Sequence, residues 1–106
     1  NNAPNCHIKG DDGEAFVQGP TITPGSVVRL LCSRTATAVT LFVQPFNPDG
    51  SLGSAVASTA NFVTGNLSFA LATPMSVGGK LRNATTIEPS GSDQFNGTID
   101  NAVLRY

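Results

Sequence analysis

The residues most able to do chemistry in this sequence are carboxylates. Asp11, Asp12 and Glu14 crowd into "GDDGEA", and hard oxygen ligands grouped on a glycine-bearing loop are what Ca²⁺ requires. A structural Ca²⁺ is the cofactor this cluster suggests. The spacing is not that of an EF-hand, and three acids in a loop are more often simply solvated. A carboxylate pair for glycoside hydrolysis would have to come from Asp11, Asp12, Glu14, Asp49, Glu88, Asp93 and Asp100, and no feature singles out two of them.

Other catalytic chemistry lacks its parts. His7 is the single histidine, so a Ser-His-Asp or Cys-His unit would depend on it, and its neighbour Cys6 is the expected disulfide partner. The expectation for His7 is an exposed residue at a strand edge. There is no G-x-S-x-G elbow and no Walker loop, and one His with two Cys cannot close a zinc site. The chain reads as non-catalytic.

Glycan binding is the other chemistry to weigh, because sugar rings present C–H surface to aromatic faces. The chain has no Trp, one Tyr and six Phe. Phe42, Phe62 and Phe69 fall in strand patterns and are expected in the core. Phe46, beside the turn in "PFNPDG", and Phe95 are expected to be exposed, and Phe46 and the terminal Tyr106 are the candidate stacking surfaces.

The composition sets the frame for these residues. At 106 residues the chain fits a single domain, 1–106, able to bury one core. Residues 1–13 read as an extended N-terminal arm. Charged residues make up 12%, about half the usual share, so hydroxyls and amides carry the polar surface. The net charge is −1 and the six basic residues are dispersed, which gives no footprint for nucleic acid. The longest apolar runs fall well short of the roughly 18 residues a membrane helix needs, and no basic amphipathic anchor is present. No membrane insertion is expected.

Cys6 and Cys32 are the only cysteines, and an even count in a small hydroxyl-rich chain points to one disulfide and an extracellular or cell-surface setting. The alternative is a pair of reduced thiols in a cytosolic chain. The sequence starts without Met or an apolar leader, as in a processed secreted chain or an excised domain. Three N-x-[ST] triplets, at Asn66, Asn83 and Asn96, would be glycan acceptors in a eukaryotic secreted chain.

No helical stripe occurs; apolar residues alternate or run in short bursts between Gly and Pro. In "SVVRLLCS", Val28, Leu30 and Cys32 share one face and Val27, Arg29 and Leu31 the other, which reads as a central strand. "TAVTLFVQ" sets Val39, Leu41 and Val43 inward against Thr40, Phe42 and Gln44, until Pro45 removes a ladder donor. The Pro-Asp-Gly signal that follows predicts a hairpin with "SAVAS" returning. Further strands are expected at "CHIK", "EAFVQ", "NLSFALA", "GKLRN" and the closing "GTIDNAVLRY". About eight strands spaced by turns make an all-β, single-domain antiparallel β-sandwich, of jelly-roll or alternatively immunoglobulin-like type.

From residue 24 onward, "TPGSVVRLLCSRTATAVTLFVQPFNPDGS", "NLSFALATP", "GGKLR" and "GTIDNAVLRY" resemble in order the jelly-roll carbohydrate-binding modules of glycanases, and the ending is also similar to that of laminin-G-type jelly rolls. The resemblance covers about three quarters of the chain by pattern, and its most specific stretch is "GTIDNAVL". It implies a sandwich, a non-catalytic glycan-binding role, and a place for Asp100 in a structural Ca²⁺ site with Asp11, Asp12 or Glu14. The chain departs from that pattern by being shorter, lacking stacking Trp and Tyr, and carrying a cysteine pair. Within the closing strand, Asp100-Asn101 marks the point where the apolar phase changes, as at a bulge.

Two functions follow as expectations. One is a secreted carbohydrate-binding or adhesin-like module whose partner is a glycan. The other is a self-assembling subunit of an extracellular filament or pilus, whose partners are copies of itself joined by strand exchange.

Overall fold

The computed structural model describes residues 2–68, 76–77, 80–83, 85–89, 95 and 97–105. The chain divides into two compact units, Asn1–Ser68 and Phe69–Tyr106. The described strands all lie in the first: β1 (Asn5–Gly10), β2 (Gly13–Gln18), β3 (Val28–Arg34), β4 (Ala38–Pro45) and β5 (Val56–Asn61). They form two antiparallel sheets, a β1–β2 hairpin and a three-stranded sheet in the order β3-β4-β5. The protein is therefore all-β.

The alternation of "TAVTLFVQ" is realised in β4. Val39, Leu41 and Val43 are buried, while Thr40, Phe42 and Gln44 are only half-buried. They share one core cluster with Cys6, Ala15 and Val17 from the hairpin, and Ile8, Val28 and Ala60 pack at its margin. One face of β4 thus collects the apolar side chains of both sheets, and period-2 patterning is enough to decide which residues these are.

Cys6 and Cys32 are joined in a disulfide with a Cα–Cα separation of 5.8 Å, so the hairpin is bonded to β3. This is the pairing expected from the sequence. The covalent tie links two short sheets that would otherwise depend on a small cluster of aliphatic side chains, and a closed loop of this length contributes about 3 kcal/mol. The bond is a mark of an oxidising environment.

The predicted turn after Pro45 is also present. The Asn47 amide donates to the Ser51 carbonyl (2.8 Å) and Gly50 N–H to Asn47 O (2.9 Å), with Gly50 at φ 82°, a conformation that glycine adopts without steric cost. Asp49 Oδ1 accepts from both the Ser51 amide (2.9 Å) and its hydroxyl (2.6 Å). β5 returns over Val56–Asn61, overlapping the expected "SAVAS".

Several expectations are corrected. Among the described strands β3 pairs with β4 alone, where a central position was expected. Its apolar residues on both faces are consequently open to solvent, Leu30 and Leu31 each at 48%. Five strands are described where about eight were expected. "GKLRN" contributes a single bridge, Leu81 to Ile87, rather than a strand. Residues 66–68 lie in no strand, and the rest of the "NLSFALA" prediction falls outside the described residues. Residues 97–105 of the closing segment also form no strand, and Asn101 there has φ 53°. Asp100 fixes this turn of the backbone: its carboxylate accepts from the Asn101 amide (2.8 Å) and side-chain nitrogen (3.3 Å). Asn tolerates left-handed geometry better than most residues. The phase change read at Asp100-Asn101 is thus a local backbone break. Among the described residues no helix is long and apolar enough to cross a membrane.

Candidate functional site

The side chains of the acidic loop do not converge. Glu14 sits on β2 and its Oε2 lies 3.2 Å from His7 Nε2, the diagonal contact expected when His7 is paired with Phe16 in the ladder. The His7 ring also meets Phe16 edge-on, with centroids 6.1 Å apart. His7 is exposed in a strand, as the sequence suggested. Asp11 accepts at 3.3 Å from the Ser68 hydroxyl.

The hairpin turn itself is held by backbone. Asp11 and Asp12 donate their amides to the carbonyls of Asn66 (2.9 Å) and Thr64 (3.0 Å), leaving both side chains exposed. A Cβ on Gly10 would lie 2.2 Å from Thr64 O, and one on Gly65, at φ +74°, would lie 2.6 Å from an Asp12 carboxylate oxygen. Two glycines therefore permit this close approach. Among the described residues no three His, Cys, Asp or Glu side chains come together to hold a metal ion. Asp100 belongs to the second unit.

Beside that turn, Arg34 at the end of β3 donates to the Gly65 carbonyl. Its Nε and the hydroxyl of Thr64, which is only 1% exposed, are buried without a partner among the described residues.

The open surface lies on the other face of the three-stranded sheet. The ladder sets Arg29 opposite Gln44, Leu31 opposite Phe42, and Phe42 opposite Ala57. A shallow, open depression of about 160 Å³ lies here, lined by Arg29, Leu31, Phe42, Gln44 and, just before β5, Ala55. Gln44 is held in place by donating its side-chain N–H to Gly53 O at 2.8 Å. Beyond the apolar row lies a hydroxyl row, in which Thr40 and Thr59 bond across β4 and β5 at 3.0 Å.

Phe46 joins this surface at its other end. The Phe46 amide donates to Val27 O (3.0 Å), which extends the β3–β4 ladder by one pair, and the alternation along β4 sets Phe46 on the same face as Phe42 and Gln44. Phe46 and Phe95 are exposed, as expected; Phe62 is exposed too, contrary to its expected core position. Tyr106 lies outside the described residues, as do Phe69 and Asn96, while Asn66 and Asn83 are exposed.

Phe42, like Phe62, is less buried than its aromatic character suggested. Phe42 is in phase with Thr40 and Gln44 and out of phase with Leu41 and Val43, so the signal was there in the alternation. Compared with known proteins, the chain matches no family model, no curated protein and no solved structure.

Proposed function

We propose that this chain is a secreted, non-catalytic carbohydrate-binding or adhesin-like module, built as a jelly-roll β-sandwich, that holds a glycan against the outer face of β3–β4–β5. The observation carrying this reading is the depression at Phe42. An aromatic ring lies between polar groups on the sheet, with Gln44 on one side and the bonded hydroxyls of Thr40 and Thr59 on the other. Apolar ring faces with a few placed hydrogen-bonding groups suit sugars, which are amphipathic in the same way. The disulfide supports an extracellular location.

A glycan array probed with disulfide-bonded, folded protein tests it. Binding that is lost in Phe42→Ala is the expected result, and a blank array from folded protein overturns the reading.

One observation favours a second reading, a self-assembling filament subunit. β3 and β5 each pair only with β4 among the described strands. Leu30 (48% exposed) and Val56 (51%) lie on the same sheet face as the buried Val43 yet remain open. An added strand from another copy would pair such an edge and cover such side chains. Electron micrographs of the purified protein distinguish the two, since fibres are expected only under this second reading.

A further inference from the structure

We infer that the outer sheet face selects a carboxylate-bearing sugar, a uronic or sialic acid unit, and that Arg29 is the group that recognises its charge. The inference rests on the carbohydrate reading above and goes further by naming the ligand class. It begins with the sign of the surface. The protein carries a net charge of −1, yet β3, β4 and β5 contain no Asp or Glu, and their charged residues are Arg29 and Arg34. Arg34 is in the other phase of β3 and is engaged with Gly65. On the outer face Arg29 is the charged residue.

Arg29 is exposed and has neither an ion pair nor a hydrogen-bond partner among the described residues. No acid is supplied to it from its own sheet, so the guanidinium is open to an anionic ligand. Its planar fork is suited to binding a carboxylate through two parallel hydrogen bonds.

The register gives the position of that carboxylate relative to the stacking ring. Arg29 is opposite Gln44, so Phe42 is its diagonal neighbour, and diagonal neighbours on an antiparallel pair stand about 7–8 Å apart. That span suits one pyranose ring resting on Phe42 with its exocyclic carboxylate at the guanidinium. Gln44 lies between them with its N–H already committed to Gly53, which leaves its side-chain oxygen to accept from a ring hydroxyl. A neutral sugar would fill the same depression and leave the arginine without a partner.

The test is an array holding matched neutral and carboxylate-bearing oligosaccharides, followed by titration with an oligogalacturonate and its methyl ester, which keeps the ring and removes the charge. The expected result is binding to carboxylate-bearing glycans, loss with the ester, and weakening with added salt as an exposed charge pair requires. Arg29→Gln should weaken oligogalacturonate, or the best array hit, about tenfold, and Arg29→Lys should weaken it less. Equal binding of neutral and acidic glycans, or no effect of Arg29→Gln, overturns the inference and leaves the carbohydrate reading intact. A blank array from folded protein removes both. Circular dichroism on each variant confirms that the fold is retained, and Arg29 is exposed enough for that to be expected.

Discussion

Leu31 and Phe42 stand directly opposite each other across the β3–β4 ladder, on the sheet face turned away from Val39, Leu41 and Val43. A half-buried aromatic ring beside an exposed leucine gives this face an apolar spot on which a ligand could rest. Phe42→Ala is therefore expected to separate binding from folding. Removing the ring should cut glycan affinity about tenfold, the scale of a lost stacking contact with its area. Stability should fall by only about 1 kcal/mol, because the ring is not fully buried. Titration calorimetry with the best array hit and urea unfolding of the same variant give the two numbers.

The two faces of the sheet should also differ energetically. Leu41 is 2% exposed in the core cluster, so Leu41→Ala is expected to cost about 2–5 kcal/mol. Leu31→Ala, on the open face, should change stability by about 0.5 kcal/mol or less. Chemical denaturation of the two variants side by side measures the difference. Equal costs would mean that the outer face is covered in solution.

These faces show how far the sequence could be read. Alternation in "TAVTLFVQ" assigned Val39, Leu41 and Val43 correctly because a strand with one buried face has period 2. The same alternation placed Phe42 outward, but hydrophobicity argued for the core, and periodicity was the better guide. β3 was read as central because apolar residues on both faces suggest a strand covered on both sides, and a strand with β4 as its one described neighbour shows the same pattern. The pairing of Cys6 with Cys32 was legible by elimination. The acidic loop was not, since one-dimensional spacing cannot show that Glu14 turns to His7 and Asp11 to Ser68. Arg29 did not stand out in the sequence, because what distinguishes it is the absence of acids on the strands around it.

The disulfide should be a large part of the stability of so small a core. Replacing both Cys6 and Cys32 by Ala removes a crosslink between residues 26 apart and is expected to cost about 3 kcal/mol. Reduction of the native protein should lower its melting temperature in the same way. Scanning calorimetry with and without reductant checks this. No difference would mean that Cys6 and Cys32 are not bonded in solution.

Acid should loosen one turn locally. The Ser51 hydroxyl, and after it the Ser51 amide, donate to the Asp49 carboxylate and hold its pKa below the ordinary value of 3.8. The charged form is thus favoured by the folded turn, and because the folded pKa is depressed, its contribution to stability is complete above 3.8 and disappears as pH falls through the lower folded value. Asp49 is fully exposed, so the effect should be local and weakened by salt. Carboxyl carbon shifts followed by NMR should give Asp49 a midpoint below 3.8, and Ser51→Ala should raise it. Protection of the Ser51 amide from exchange should be lost over the same interval, while the β4 amides remain protected. A midpoint in Ser51→Ala equal to that of the native protein would remove Ser51 as the cause.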